Sequence, residues 1–311
     1  MREAGLLDEG PVYVDSTLIQ AAASADSMAR RDEVVQPPLS VEEYVRRLFE
    51  ENDTSEDEAG PPPAGPAAKQ PANLEFQSTT DPEATSVNRP EFGRHLAYKA
   101  HVAVAGRRGQ VITAAVATTG ATADEHLLAE VLWQHRRLSG LGVPEVVADA
   151  KYGTGPNYRY LDQADIPTFI PATRFGNQHT GIWGREHFTW LAEADAFLCA
   201  AGQKLRRYAN LVRTQRVQYR AAKGACVSCA FRSQCAPSGV ERALHRSWAL
   251  DLVETAQERI AGPKGKKRMA ERKTRIEGTF GLAKELHGLR RTRFKGRQRV
   301  QIQLWLMQRR R

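Results

Sequence analysis

Two alternating segments joined by one turn constrain this chain more than any other feature. Residues 96–105 and 110–118 place small or β-branched apolar side chains at alternate positions, with Gly106-Arg107-Arg108-Gly109 between them. Alternation of period two across a glycine-bounded turn predicts a β-hairpin. Thr122-Ala123-Asp124-Glu125 then opens a stretch in which Leu127, Leu128, Val131, Leu132 and Leu138 recur at helical spacing, which predicts an amphipathic helix. Pro144 to Asp149 is a short apolar strand ending on an aspartate. Gly153-Thr154-Gly155-Pro156 leads into a helix through Tyr160 and Leu161, and residues 168–171 form another strand. Upstream, residues 11–19 read as a β-branched strand that ends near Asp15, and from about Lys266 to Leu286 the pattern is helical again. Strand, hairpin, helix, strand, helix, strand predicts an α/β chain: a mixed sheet with helices packed on it.

Charge divides the chain into unlike ends. Residues 261–311 hold 17 Lys and Arg against 3 Asp and Glu, whereas residues 1–90 hold 7 against 18. A basic segment this dense attracts polyanions, nucleic acid above all. The alternative is a solvated basic tail without a partner. Residues 50–73 are acidic, rich in Pro and Ala and nearly free of large apolar side chains; they bury too little to offset ordering entropy and read as a linker. No run of apolar residues is long enough for a membrane span, and Met1-Arg2-Glu3-Ala4-Gly5 lacks the layout of a signal peptide. A cytoplasmic protein, nucleoid-associated when bound to DNA, with no membrane partner is the expectation.

All four cysteines, Cys199, Cys226, Cys229 and Cys235, fall within 37 residues. Without a secretory signal, such clustering suggests a metal site before a disulfide framework. Cys226-Val227-Ser228-Cys229 has the spacing of a zinc-ligand pair, and four thiolates match a closed tetrahedral Zn²⁺ site. A set of reduced, partly buried cysteines is the competing expectation. Arg206, Arg207, Arg213, Arg216, Lys223 and Arg232 lie around them. Trp183, Trp190 and Trp248 offer faces for unpaired bases, although core packing is the commoner role of tryptophan.

Asp15 and Asp149 share a context: each is read as ending a short apolar strand, where side chains point into the crevice in which α/β sheets bind ligands. Two carboxylates at neighbouring strand tips make a hard-oxygen site suited to Mg²⁺ or Mn²⁺. Glu277 is the candidate third carboxylate. Lys273 and Lys284 stand four before it and seven after it, near its own face of a helix. Solvated helix charges and turn aspartates are the plainer reading of each residue taken alone.

Several stretches, in this order, resemble DDE transposases of bacterial insertion sequences: Val14 to Leu18, Tyr98 to Ala103, Val147 to Gly153, Ile276 to Gly281 and Lys284 to Gly296. The resemblance runs from about residue 11 to about 303. It implies an RNase H-like core with helices on both faces and an inserted Cys-containing subdomain. It also implies that Asp15, Asp149 and Glu277 form a catalytic, metal-binding triad. Lys284 matches the basic residue two helical turns past the glutamate. A Tyr and an Arg precede the glutamate in that pattern; here those offsets hold Ala270 and Lys273. The expected domains are residues 1–49, the first core strand with a helix; 50–90, the acidic linker; 91–174, the core; 175–260, the insertion; and 261–311, the glutamate helix and basic tail.

The implied activity is strand cleavage and strand transfer of an insertion sequence, with Mg²⁺ or Mn²⁺ held by the triad and Zn²⁺ held by the cysteines. Lys273, Lys284, Arg290, Arg291, Arg293, Lys295 and Arg297 are the expected contacts to double-stranded DNA at element ends and target, with Arg299 beside them. A homodimer fits the resemblance. Few residues precede Asp15, so an N-terminally truncated copy is expected. The alternatives are a catalytically inactive, zinc-containing DNA-binding protein derived from a transposase, and a nuclease of the same fold that cuts without strand transfer.

Overall fold

The computed structural model describes residues 7, 9–32, 34, 72–89, 93–106, 111–173, 181–212, 215–237 and 241–309. The acidic stretch 50–71 and the hairpin turn at 107–109 lie outside them. The strands are β1 (Val12–Gln20), β2 (Met28–Arg30), β3 (Phe76–Ser78), β4 (Thr85–Arg89), β5 (Gly93–Ala105), β6 (Val111–Thr119), β7 (Val146–Ala148), β8 (Thr168–Phe169), β9 (Phe188–Leu191), β10 (Ala196–Cys199), β11 (Lys204–Leu211), β12 (Arg216–Arg220) and β13 (Ala243–Ser247). The longer helices are α1 (Leu128–Ser139), α2 (Gly155–Gln163), α3 (Leu250–Ala261), α4 (Pro263–Leu286) and α5 (Arg297–Arg309). One mixed sheet has the order β4-β5-β1-β7-β8, with β6 paired to β5. A mixed α/β architecture, with the hairpin and helices where the sequence places them, is therefore present.

The chain forms two compact units. The first comprises residues 1–15, 102–114 and 123–279. In it β1 pairs in parallel with β7, Val12 opposite Val146 and Val14 opposite Ala148, and β7 pairs in parallel with β8. Val12, Tyr13, Val14, Val146, Val147 and Ala148 are all fully buried, as expected of parallel strands covered on both faces. Helix α1 buries Leu128, Val131, Leu132 and His135, the i, i+3, i+4, i+7 stripe of a helix with one face on a core. It stops at Gly140, whose φ of 64° supplies the left-handed C-terminal turn that glycine adopts without a Cβ clash.

Residues 172–240, irregular in sequence, instead carry β9 to β12, which with β13 form a five-stranded antiparallel sheet of order β13-β12-β11-β10-β9. Phe188, Phe197, Leu205, Val217, Tyr219 and Leu244 form its core, with Trp183 and Trp190 packed against it. Trp190 lies 4.8 Å from Phe197, which meets Tyr219 edge-on at 5.3 Å. Trp183 and Trp190 thus pack the core, whereas Trp248 is exposed. Past this sheet, α3 turns into α4 at Gly262-Pro263. Pro263 starts α4, where its missing N–H removes no helical bond. A Cβ on Gly265 would collide with the backbone at Arg259 and Ile260, so the corner is closed by that glycine.

The second unit comprises residues 16–101, 115–122 and 280–311. Residues 72–89, inside the segment 50–90 expected as linker, form a helical turn (Ala72–Glu75), β3 and β4. β3 pairs with β2, and β4 pairs with β5. Their anchor is Asp81, 1% exposed, which accepts the Tyr98 hydroxyl at 2.6 Å and the Gly296 amide at 3.1 Å. Helix α5 buries Val300, Gln303, Leu304 and Met307, and its Gln301 amide bonds Ala115 O and Ala117 N, both at 2.7 Å. Among the described residues no helix is long and apolar enough to cross a membrane.

Candidate active site

Asp15 and Asp149 meet because of strand register. Val14 pairs with Ala148, the last pair of the register, and the residue that follows each of them is an aspartate. Asp15 is the fourth residue of the nine-residue β1, not its end as expected. Pairing with β7 stops at Ala148, and β1 continues for its other neighbour. Asp149 stands one residue past the end of β7. Its side chain accepts the Lys151 amide at 3.0 Å and so caps a short 3₁₀ turn.

The loop that follows is fixed by its backbone. Asn157 donates to Tyr152 O and Glu125 O, both at 2.9 Å, and Thr173 N donates to Gly153 O at 3.0 Å. A Cβ at Gly153 would strike the Pro171 carbonyl, so only glycine lets the loop lie this close. Lys151 reaches the buried Asp124 at 3.4 Å.

Helix α4 lies against these strands through charged side chains spaced three and four apart. Glu145, 7% exposed at its side chain, takes Lys264 at 2.6 Å and Arg268 at 2.5 Å. Tyr13 donates to Glu271 Oε2 at 2.6 Å, and Arg268 reaches the same oxygen at 2.8 Å. Burial alone would raise the Glu271 carboxyl, but the hydrogen bonds from Tyr13 and Arg268 and the charges of Arg268 and Arg275 outweigh it. Glu271 sits below its ordinary value. Burial first, and then the bond to Glu271, push the Tyr13 phenol far up. Arg275 stacks over the Tyr13 ring at 5.2 Å.

Arg272 completes this stripe. Its Nη2 lies 2.6 Å from Asp15 Oδ2 and 3.9 Å from Asp149 Oδ2, so the two carboxylate oxygens are no further apart than the sum of those distances. Sequence spacing pointed instead to Lys273, which is exposed. The signal available in the sequence was the run Lys264, Arg268, Glu271, Arg272, Arg275, a charged stripe where an apolar one would be usual.

The structure does not gather the third expected carboxylate. Glu277 is exposed on α4, five residues past Arg272 and about 140° around the helix from it. Among the described residues no group of three or more His, Cys, Asp or Glu side chains is drawn together tightly enough to hold a metal ion. The two aspartates still suit one: their donors are hard oxygens, they are partly buried, and a cationic group already stands between them.

The four cysteines border one cavity, although they too are not drawn together tightly enough to hold a metal ion. Cys199 at the end of β10, Cys226 and Cys229 in a turn, and Cys235 in the helical turn Arg232–Cys235 line one small cavity of about 20 Å³. Trp183, Leu205, Ala221, Phe231, Arg232 and Arg242 complete its wall. The Gln203 amide donates to Cys199 Sγ at 3.3 Å. Burial first raises the Cys235 thiol; Arg242 opposes this and the three other cysteines add to it. All four are free thiols.

The basic segment lies in the second unit. Arg290, Arg291, Arg293, Lys295, Arg297 and Arg299 are exposed, and Lys284 is half-buried. The backbone carrying them is pinned: Gln20 N donates to Arg290 O at 3.0 Å, Thr292 N to Gln20 O at 2.8 Å, and Ala22 N to Thr292 Oγ1 at 3.0 Å. Arg290 pairs with Glu285.

Compared with known families, residues 198–308 match the model described as "Transposase DDE domain". This stretch holds the cysteines, Arg272, Glu277 and the basic segment; Asp15 and Asp149 lie outside it. The resemblance to DDE transposases is thus supported. No curated protein and no solved structure matches the chain.

Proposed function

We propose that this protein is a DDE transposase with an RNase H-like core. In this reading it cuts and joins DNA at the ends of an insertion sequence, and residues 175–260 are an insertion in that core. The observation that carries it is the pair Asp15 and Asp149, which directly follow the paired residues Val14 and Ala148 of adjacent parallel strands and share Arg272, in a chain whose residues 198–308 match a transposase DDE domain. Asp15 and Asp149 would hold Mg²⁺ or Mn²⁺, with Glu277 as the third carboxylate. When bound, such ions lower the pKa of the attacking water or 3′-hydroxyl and neutralise charge on the leaving oxygen.

The chain's own groups prepare that chemistry. The Lys151 amide holds Asp149 in one rotamer, and Tyr13, Glu271, Arg268 and Glu145 lock α4 against the strands. Lys273 and Lys284 join Arg290, Arg291, Arg293, Lys295 and Arg297 in contacting DNA phosphates; such contacts position the duplex without reading its sequence. Cys199, Cys226, Cys229 and Cys235 would hold a structural Zn²⁺, with Arg232 and Arg242 offsetting the charge of four thiolates. A cytoplasmic, nucleoid-bound homodimer completes the proposal.

Cleavage of supercoiled plasmid with Mg²⁺ or Mn²⁺ tests it, comparing the chain with Asp149→Ala. Metal-dependent nicking that disappears in the variant is the expected result. One observation favours a second reading, a DNA-binding protein that no longer cuts: Glu277 stands apart from the two aspartates. DNA binding without nicking by either protein would select it.

A further inference from the structure

We propose that Arg272 is the resting counter-ion of the Asp15–Asp149 pair and that a divalent cation must displace it to bind there. The inference rests on the proposed function only for the identity of the competing ion. A guanidinium usually answers a carboxylate with two parallel N–H bonds. Here a single nitrogen, Nη2, serves both partners, bonded to Asp15 at 2.6 Å and too far from Asp149, at 3.9 Å, for a hydrogen bond. It stands between two acidic groups as a point charge would. Arg272 Nε is buried with no hydrogen-bond partner, so the fork is held by charge rather than by a fitted set of acceptors.

The pair needs such an occupant. The side chains of Asp15, Asp149 and Arg272 are 15%, 25% and 17% exposed, and two carboxylates this close and this poorly solvated repel each other unless a cation stands between them. Asp149 has committed its other oxygen to the Lys151 amide, so the oxygen facing Arg272 is the one it can offer a cation. Arginine stays charged at every physiological pH, so displacement depends on cation concentration and not on proton uptake. Once displaced, the guanidinium remains on α4 beside the pair, where a phosphate group is a natural partner for it.

The test is a Mn²⁺ titration of the full chain at fixed ionic strength, following free Mn²⁺ by electron paramagnetic resonance, with Arg272→Ala, Arg272→Gln and Arg272→Lys. Loss of the competing charge should tighten Mn²⁺ binding about tenfold in the first two. Arg272→Lys should restore the wild-type affinity. The metal-free Ala and Gln variants should melt lower than wild type and regain the difference with Mn²⁺. Unchanged or weaker Mn²⁺ binding in Arg272→Gln, the less disruptive variant, overturns the proposal. So does extra affinity that survives a second change, Asp149→Ala. Plasmid nicking separates the two claims. Nicking by wild type with no affinity gain in the variants defeats the role of Arg272 alone, whereas an affinity gain without nicking by wild type defeats the transposase reading alone.

Discussion

Tyr13 donates its hydroxyl to Glu271 Oε2 at 2.6 Å, and this bond ties the strand that carries Asp15 to the helix that carries Arg272. Tyr13 lies two residues before Asp15 on β1, so both side chains leave the same face of the strand. Glu271 immediately precedes Arg272. The latch is continued by Arg268, which joins Glu271 to Glu145 at the entry to β7. The strand–helix junction beneath the aspartates is therefore polar and charge-paired, and its strength depends on ionisation.

That dependence has a sign. Glu271 titrates below its ordinary value of 4.5 in the folded chain. A carboxylate depressed in this way adds stability that is complete above its unfolded pKa and is lost as pH falls through the folded value. Urea midpoints should fall as pH drops below about 4.5, and Glu271→Gln should flatten that part of the profile. An unaltered profile in Glu271→Gln would assign the acid sensitivity to other carboxylates. Tyr13→Phe should cost about 1.5–3 kcal/mol at neutral pH, the range for a hydrogen bond to a charged group.

Asp15→Asn and Asp149→Asn each remove one charge from the pair while keeping its shape. Nicking should fall in both by more than the roughly 10–100-fold that loss of a supporting residue costs. Metal-free stability should change little, since Arg272 keeps one charged partner in each variant. Nicking that survives in Asp15→Asn but not in Asp149→Asn would leave the reaction to Asp149 alone and undo the paired assignment.

For the cysteine cavity the expected outcome is one Zn²⁺ per purified chain by elemental analysis, absent from Cys229→Ser. Because thiols must lose protons to bind metal, and burial makes the Cys235 proton hard to lose, zinc should be retained at neutral pH and released on acidification. A strong chelator should lower the melting temperature of the wild-type chain only. A metal-free wild-type chain with the same melting temperature would leave four reduced cysteines packed against an apolar core.

Much of this site was legible in the sequence, and the missing parts share a cause. Asp15 and Asp149 could be found because each follows three apolar residues of a buried parallel strand, a local pattern. Arg272 could not, because which residue of a helix meets a strand depends on how α4 is rotated, and linear spacing from Glu277 singled out Lys273 instead. The sheet from β9 to β13 was hidden by its composition: Arg206, Arg207, Arg216 and Arg220 interrupt the apolar alternation that marks a strand. Residues 72–89 looked like linker because their anchors, Ser78 and Asp81, are buried through hydrogen bonds rather than hydrophobicity.

The basic segment allows the most direct test of DNA contact. Thr292 is 3% exposed and is held to Gln20 and Ala22 through main-chain and hydroxyl bonds, while its neighbours Arg291 and Arg293 face solvent. Replacing exposed side chains on a pinned backbone should shift stability by no more than about 0.5 kcal/mol. Changes in DNA affinity can then be read without a folding correction. Each lysine or arginine that neutralises a phosphate contributes about 0.9 to the slope of log affinity against log salt. Arg291→Ala, Arg293→Ala and Lys295→Ala should each lower affinity for any duplex sequence to a similar degree and reduce that slope by about one. Slopes equal to wild type in all three would show that this segment does not touch the DNA backbone. Loss confined to one sequence would mean that a residue here reads bases, a role the proposal does not give it.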